Sequence, residues 1–340
     1  MEYTNLGRSG LKVSRIVLGC MSYGTPKWQP WVLDEAQSLP LLHHAYSAGI
    51  NTWDTADVYS MGLSEEIVGK ALVQYKIPRH SVVILSKCFF GVVDDGTFPL
   101  IGDAVIKNDG PMVNRVGLSR KHILDAVEAS VKRLGTYIDV LQIHRLDRET
   151  PKEEIMRALN DVVEKGWVRY LGASSMAAWE FQQLQNIAER NGWHKFISMQ
   201  NYYNPLYREE EREMIPYCKD TGVGLIPWSP IARGVLARPW SERSTLRESS
   251  DRMIQRIIRD KETAIDKEIV DRVEELAKKK GVAMAQISIA WLLRKGANPI
   301  MGLNSSERID QAVDALKVYL SDEECAYIEE PYAPKPVVGY

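Results

Sequence analysis

Eight short apolar or β-branched segments alternate with helical patterns along most of this 340-residue chain. Continuous apolar strands suit a parallel sheet that is covered by helices, and eight strand–helix units favour a closed (β/α)₈ TIM barrel. The alternative is an open, Rossmann-like sheet, but no GxGxxG follows the first strand, and Gly222 and Gly224 precede a strand. We therefore predict one barrel domain over residues 1–340. The predicted strands are 16–19, 50–54, 82–86, 138–144, 168–174, 196–201, 224–229 and 299–303.

Helix signals are clearest between the fourth and fifth predicted strands. Thr150 suits an N-cap, Pro151 the first helical position and Glu153 a capping box, while Gly166 supplies a stop. Other stretches with apolar residues at three- and four-residue steps predict further helices. These lie at roughly 35–48, 64–75, 119–134, 176–190, 208–220 and 321–330.

Several segments do not fit the simple alternation. Residues 3–14 contain a glycine turn between two short extended pieces and predict a hairpin that caps the barrel floor. Residues 89–118 and 233–263 leave the C-terminal rim, where barrel active sites lie, and such long loops are candidate lids. The proline-rich end, 331–340, cannot continue a helix and is expected to fold across the rim.

Composition narrows the class of protein. The chain has 45% hydrophobic and 26% charged residues with a net charge of −2, which predicts no disorder and no general attraction to nucleic acid or acidic membranes. It has no apolar run of about 18 residues and no apolar signal region at its start, so we expect a cytoplasmic location. Whether the chain acts as a monomer or a homodimer is left open by the sequence. Four scattered cysteines predict reduced thiols and no metal site.

Four polar residues stand at or just after the ends of predicted strands, where barrel enzymes place their catalytic groups: Asp54, Tyr59, Lys87 and His144. A tyrosine has a pKa near 10, so we expect a neighbouring Lys87 to lower the pKa of Tyr59. Asp54 would hold the ammonium group, and His144 would hydrogen-bond the carbonyl oxygen or the phenol. Taken singly, Asp54 could merely cap a turn and His144 could be an ordinary buried histidine.

The segments DTADVY, SK, LQIHRLD, GASS, SMQNYYN and PWSPIARG follow one another in the order that is typical of the aldo-keto reductase superfamily. The chain resembles this superfamily over nearly its whole length. More narrowly, IVLGCMSYG and VKRLGTYIDVLQIHRLD resemble fungal aryl-alcohol dehydrogenase and versiconal hemiacetal acetate reductase-like members. The resemblance implies a (β/α)₈ fold, NADPH as the hydride source and Tyr59 as the general acid, supported by the three other polar residues.

The resemblance also implies cofactor contacts. Ser174, Ser175 and Gln200 would meet the nicotinamide carboxamide, although Ser175 replaces an asparagine that is common in distant relatives. Trp228 would stack on the nicotinamide, with core packing as the alternative. The pyrophosphate would lie near Ser229, Ile231, Arg233 and Gly234.

The segment after the eighth strand bears on the choice between NADPH and NADH. Ser306 and Arg308 stand at the start of a predicted helix, whose free N–H groups favour an anion such as a ribose 2′-phosphate. The resemblance implies that Arg308 selects NADPH and that Gln311 contacts adenine. Gly302 and Ala312 depart from the lysine and asparagine of the family pattern.

Aromatic residues follow several predicted strands and predict an apolar slot for a flat or aromatic carbonyl substrate. Three functions are compared: an NADPH-dependent reductase of aldehydes or ketones, an NADP(H)-binding regulatory subunit with little turnover, and a metal-dependent hydrolase, which lacks ligand clusters. The first fits best. The candidate pocket residues are Tyr23, Trp28, Trp31, Phe89 and Phe90.

Overall fold

The computed structural model describes residues 1–101 and 106–340. Strands β1 (Tyr3–Asn5) and β2 (Lys12–Ser14) form an antiparallel hairpin, as predicted. Eight further strands form one parallel sheet in the order β10-β3-β4-β5-β6-β7-β8-β9. They are β3 (Val17–Gly19), β4 (Thr52–Asp54), β5 (Val83–Cys88), β6 (Ile138–Ile143), β7 (Val168–Ser174), β8 (Phe196–Gln200), β9 (Gly224–Leu225) and β10 (Ile300–Gly302).

Two backbone hydrogen bonds join the edges of this sheet. Asn298 N donates to Leu225 O at 2.9 Å, and Ile300 N donates to Pro227 O at 3.0 Å. The strands therefore curl into a ring, which confirms the predicted (β/α)₈ barrel. Strand β9 is shorter than the predicted 224–229, because Pro227 has no N–H to donate to a sheet ladder.

The hairpin closes the N-terminal end of the barrel. Leu6 and Val13 join the apolar cluster that fills the barrel interior. Gly7 has φ +61°, and a Cβ atom there would lie 2.3 Å from Gly222 O, so only glycine fits this approach. The predicted floor cap is confirmed, and the accessible end of the barrel is the C-terminal one.

Twelve helices lie within the described residues, and most of them cover the outside of the sheet. Helix α10 is buried almost all round, and its Trp291 packs on Tyr203 and donates to Glu329 Oε1 at 2.8 Å. The helices are α1 (Glu35–Ser47), α2 (Leu63–Gln74), α3 (Arg120–Leu134), α4 (Lys152–Glu164), α5 (Ala178–Asn191), α6 (Met214–Thr221), α7 (Leu246–Ser250), α8 (Arg252–Ile257), α9 (Ala264–Lys280), α10 (Met284–Arg294), α11 (Ser306–Asp314) and α12 (Asp322–Glu329). None of the helices in these residues has the length and apolar character of a membrane span.

The predicted cap of α4 is wrong. Pro151 occupies the N-cap position and offers no side-chain acceptor. The Thr150 hydroxyl donates instead to Asp147 Oδ2 at 2.6 Å, because that carboxylate gathers the donors of its own turn. The stop at Gly166 is confirmed by its φ of +75°.

The two predicted rim loops differ in character. Residues 233–263 are largely helical, since they contain α7, α8 and a 3₁₀ turn at Arg259–Lys261. In the loop 89–118, Trp28 Nε1 donates to Pro99 O at 3.2 Å, which attaches the loop to the segment after β3. Residues 102–105 of that loop lie outside the described residues.

The end of the chain returns to the rim, as predicted. Val338 N donates to Tyr207 Oη at 3.1 Å, and the Tyr340 hydroxyl donates to the Glu210 carboxylate at 2.9 Å. Gly339 lies against the rim residue Trp228, because a Cβ atom on it would be 3.4 Å from the indole ring.

Candidate active site

Lys87 is the centre of a buried polar cluster at the C-terminal end of the barrel. Its side chain is fully buried, and its Nζ donates to Asp54 Oδ2 at 2.6 Å and to Thr55 O at 2.8 Å. A third bond runs from Nζ to the Tyr59 hydroxyl at 3.2 Å. Neighbouring parallel strands β4 and β5 end beside each other, which brings the carboxylate and the ammonium together. Three of the four predicted residues therefore form one hydrogen-bonded chain.

A strained turn aims Tyr59 into the cavity. Ser60 and Met61 have φ values of +50° and +53°, in the left-handed region that is unfavourable for residues other than glycine. Ser60 Oγ accepts a hydrogen bond from Thr25 N at 3.1 Å, and a Cβ atom on Gly24 would lie 2.0 Å from that oxygen. The segment after β3 therefore holds the turn in place.

The protonation states suit a proton donor. Burial raises the pKa of Tyr59 and outweighs the opposite effect of Lys87. The expectation that Lys87 would bring the pKa of Tyr59 below its usual value is therefore wrong for the free chain. Burial disfavours the ammonium form, but Asp54 and Tyr59 outweigh it and raise the pKa of Lys87. At neutral pH Tyr59 is a phenol and Lys87 is a cation.

His144 follows β6 and faces the same cavity. Its backbone N donates to Cys88 O at 3.0 Å, and its ring contacts Phe90 and Tyr59 edge-on, with centroid separations of 5.0 and 5.8 Å. Burial, with the nearby charges of Lys87 and Arg145, holds the pKa of His144 well below its usual value. The imidazole is therefore neutral and can donate one N–H.

Two glutamine amides hold the second oxygen of Asp54. Gln142 Nε2 donates to Asp54 Oδ1 at 2.9 Å, and Gln200 Nε2 donates to the same oxygen at 3.0 Å. Gln200 also donates to Gln142 Oε1 at 2.8 Å, so the two amides are coupled. Sequence reasoning missed Gln142, although a polar residue inside the apolar strand β6 was a signal that it points into the barrel.

Two cavities extend from this cluster. The first, of about 420 Å³, is lined by Asp54, Tyr59 and His144. The second, of about 670 Å³, reaches Arg308 and Gln311 at α11. The cavities share part of their walls and form one groove, which runs from the polar cluster around Lys87 to the start of α11. The shared lining residues are Ser22, Trp31, Ile231, Arg233, Arg247 and Gly302.

Comparison with known proteins assigns the family. The model of the Aldo/keto reductase family matches residues 15–333. The chain belongs to this family. It is 68% identical over 338 residues to a versiconal hemiacetal acetate reductase of Aspergillus parasiticus, covering 99% of this chain and 98% of that protein. It is 56% identical over 345 residues to a Schizosaccharomyces pombe protein provisionally named an aryl-alcohol dehydrogenase, covering 99% and 97%.

A third relative is an aldo-keto reductase of Fusarium vanettenii, which is 48% identical over 346 residues and covers 100% of this chain and 93% of that protein. Membership of the family and these relatives establish an oxidoreductase that acts on carbonyl compounds or alcohols. They also confirm the resemblance that the sequence motifs indicated.

In this aldo-keto reductase, the residues predicted to meet a nicotinamide lie beside the polar cluster around Lys87. Ser174 Oγ donates to Gln200 O at 2.7 Å, and Trp228 Nε1 donates to Ser175 Oγ at 3.2 Å. Trp228 stacks on Tyr202 with ring centroids 4.6 Å apart, which leaves its other side to the cavity that it lines. Ser174 and Gln200 line the same cavity.

The segment predicted to approach a pyrophosphate forms the wall between the two cavities. Ser229 lines the first cavity and Gly234 the second, while Ile231 and Arg233 line both. Ser229 and Arg233 have φ values of +52° and +57°, and Gly234 has +109°, so the backbone turns sharply here. The side chain of Arg233 forms a buried ion pair with Asp251.

That ion pair belongs to a buried cluster that sequence reasoning missed. Arg233 donates to Asp251 Oδ2 through Nε at 2.9 Å and Nη2 at 2.6 Å, and Arg247 Nε donates to the same oxygen at 3.1 Å. The Arg247 guanidinium also stacks over Trp31 at 4.1 Å. Burial disfavours the carboxylate, but the two arginines outweigh it and lower the pKa of Asp251. The cluster fastens the 233–263 loop across the groove.

At the far end of the groove, α11 exposes its first turn. Ser305 Oγ caps the helix by accepting from Arg308 N at 3.3 Å, and Ser306 is its exposed first residue. The Arg308 side chain is exposed and donates to Asn304 Oδ1. Gln311 Nε2 donates to Glu307 Oε1 at 3.1 Å, so its contact is within the helix.

The five aromatic residues predicted for the substrate pocket occupy different places. Trp31 and Phe90 line the first cavity. Trp28 is buried behind it, 6.1 Å from the Tyr59 ring, and Phe89 packs edge-on against Phe90 at 5.1 Å. Tyr23 is fully buried in the core outside the barrel ring and donates to Leu303 O at 2.5 Å, so it does not line the cavity.

Proposed function

We propose that the chain reduces aldehydes or ketones to alcohols with NADPH, and that Tyr59 gives the proton to the carbonyl oxygen. The observation that carries this proposal is the position of the Tyr59 hydroxyl, which lines the cavity and is 3.2 Å from Lys87 Nζ. A neutral His144 beside it can donate a second hydrogen bond to the same carbonyl oxygen. The two donors would orient and polarise the carbonyl.

The groove fits an elongated dinucleotide. Its first cavity offers the Trp228 ring and the polar side chains of Ser174 and Gln200, which suit a nicotinamide ring and its carboxamide. Its second cavity ends at the start of α11, where the helix terminus and Arg308 suit a phosphate. When bound, the nicotinamide supplies a hydride to the carbonyl carbon.

The residues of this chain would then transfer one proton to the substrate. As the carbon receives the hydride, the carbonyl oxygen takes the phenolic proton of Tyr59, and the product is an alcohol. Lys87, held by Asp54, stabilises the phenolate that remains. Solvent returns the proton to Tyr59 before the next turnover. The reverse sequence oxidises an alcohol, for which Tyr59 must first lose its proton.

Replacing Tyr59 by phenylalanine tests the proton donor. We expect Tyr59→Phe to lower kcat about a hundredfold to ten-thousandfold, which is the usual contribution of general acid catalysis, while NADPH still binds. NADPH oxidation at 340 nm and quenching of tryptophan fluorescence measure the two effects. Tyr319→Phe is the control, because Tyr319 is exposed. Full activity in Tyr59→Phe would exclude this role.

We further propose that Arg308 favours NADPH over NADH by pairing with the 2′-phosphate, and that Gln311 lies near the adenine. Arg308→Ala should raise KM for NADPH about tenfold or more, and should leave KM for NADH nearly unchanged. NADH serves as the internal control. Equal effects on both cofactors would refute the phosphate contact.

For the substrate, we propose an aromatic or bulky carbonyl compound. Trp31 and Phe90 flank the approach to Tyr59, and Leu100 and Ile101 add apolar surface to the same cavity. Flat rings bury well against such a wall. Aromatic aldehydes should therefore have higher kcat/KM than small aliphatic aldehydes of equal reactivity, and equal values would exclude a selective pocket.

A further inference from the structure

Arg145 is a cation in the wall of the catalytic cavity. It directly follows His144 and lines the cavity together with Tyr59. Its guanidinium carbon lies 6.0 Å from the centroid of the Trp228 ring. Its Nη1 donates to His144 O at 2.5 Å, which holds one side of the guanidinium group in place. The remaining N–H groups are left for a ligand.

Within residues 1–101 and 106–340, no carboxylate lies within 4.0 Å of this guanidinium. Two other arginines that line this cavity have a carboxylate partner, since Arg233 and Arg247 both pair with Asp251. A partly buried cation without a counter-ion costs stability. Burial lowers the pKa of Arg145 to about 10, so the group still carries its charge at neutral pH.

The rim of the cavity adds positive charge. Arg252 and Arg256, one turn apart on α8, line the first cavity and have no acidic partner in the described part of the chain. The carboxylates that line this cavity are Asp54 and Asp251, and both are held by cations. A cavity with this balance attracts negatively charged ligands.

We infer that Arg145 binds an anionic oxygen group, a carboxylate or an ionised phenol, on the aromatic carbonyl compound that the enzyme reduces. The inference rests on the proposed function. With the carbonyl oxygen held by Tyr59 and His144, the rest of the substrate lies along the wall that carries Arg145. Arg145 lines the first cavity alone, whereas Arg233 and Arg247 line both cavities, so a substrate group suits Arg145 better than a cofactor phosphate does.

A pair of matched substrates tests this. The enzyme is assayed with saturating NADPH on 4-carboxybenzaldehyde and on its methyl ester, methyl 4-formylbenzoate, before and after Arg145→Met. We expect kcat/KM for the carboxylate to fall about tenfold to a hundredfold more than kcat/KM for the ester, mainly through KM. Comparing two substrates in two variants cancels their different intrinsic reactivities.

The control variant is Arg190→Met. Arg190 is exposed in the last turn of α5, at the other end of the barrel, and its loss removes one positive charge without touching the cavity. It should leave the ratio of the two substrates unchanged. Arg145→Lys keeps the charge but loses the planar fork, so its carboxylate preference should lie between those of the unmodified chain and Arg145→Met.

The other outcomes are distinct. An equal loss on both substrates, with a shifted pH profile, would mean that Arg145 acts on Tyr59 and would overturn the inference. The same holds if neither substrate is affected. If the unmodified chain reduces neither aldehyde, nor any other carbonyl of a panel, the proposed function itself fails. Benzoate and benzamide give a readout without turnover: only benzoate should compete more weakly after Arg145→Met.

Discussion

Tyr59 combines two opposing influences, since burial favours the phenol and Lys87 favours the phenolate. The net pKa lies above the ordinary value for tyrosine. His144 remains neutral because its pKa lies well below 6.5. Both groups are therefore in the state that carbonyl reduction requires over a broad range of pH.

This gives a prediction for the pH profile of the free enzyme. If Tyr59 gives the proton, as proposed, that proton is lost only as the pH rises through a pKa above 10, so kcat/KM should stay flat from about pH 7 to 9.5. Steady-state assays with NADPH and an aromatic aldehyde in constant-ionic-strength buffers measure it. An alkaline limb with a midpoint near pH 7 or 8 would contradict the raised pKa.

Lys87 and Asp54 form a pair in which neither partner reaches water. Lys87→Met should cost about 3–5 kcal/mol of unfolding free energy, because it strands a buried carboxylate, and should also abolish turnover. Adding Asp54→Asn should restore much of the stability but none of the activity. Urea denaturation and NADPH oxidation separate the two effects. Stability that does not recover in the double variant would show that the pair is not coupled.

At the scale of elements, the loop 233–263 depends on Asp251. Asp251→Asn leaves two enclosed arginines without a full counter-charge, so we expect faster tryptic cleavage in this loop and weaker NADPH binding. Limited proteolysis followed by mass spectrometry locates the cuts. Asp260→Asn is the matched control, because Asp260 is exposed in the same loop. Identical cleavage of the two variants would refute the role of the cluster.

The ring of strands and the clustering of Asp54, Tyr59, Lys87 and His144 were predictable because both follow local rules. Each strand is a short apolar run, and a polar residue at its end stands out. Helix α10 did not give an amphipathic pattern, since α9 and α11 both pack on it and Trp291 is fully buried. Its surroundings come from segments far along the chain.

Side-chain partnerships across the fold were not predictable for the same reason. Asp251 lies in a polar run, RESSDR, and only tertiary folding shows that it, rather than Glu248, receives Arg233. Tyr23 follows a strand much as Trp31 does, but its hydroxyl finds Leu303 O inside the core. Residue type and strand position therefore identify candidates, while the pairing of loops decides between them.

At the scale of the molecule, Glu210 links the end of the chain to the rim. It accepts from Tyr340 Oη at 2.9 Å and from Asn201 Nδ2. Burial, with a smaller contribution from Glu209, raises the pKa of Glu210 to about 7. The folded state therefore holds this proton more tightly than the unfolded chain does, and the stability that it contributes is lost as the pH rises from about 4.5 to 7.

Glu210→Gln should remove that dependence. Relative to the variant, the unmodified chain should lose up to about 3 kcal/mol between pH 4.5 and 7.5, because each pKa unit represents about 1.4 kcal/mol. Thermal unfolding at several pH values measures the difference. Glu213→Gln, an exposed change nearby, controls for lost surface charge. Parallel curves for the unmodified chain and Glu210→Gln would contradict the raised pKa.

The two hydrogen bonds that close the ring, from Asn298 to Leu225 and from Ile300 to Pro227, each join residues 73 positions apart in the sequence. Trp228 and Ile300, on opposite sides of that join, line the same cavity. A cofactor that lies there would contact both sides of this join between β9 and β10. A chain in which this join has not formed would lack the juxtaposition of Trp228 and Ile300, so cofactor binding would favour the correctly folded molecules in a refolding mixture.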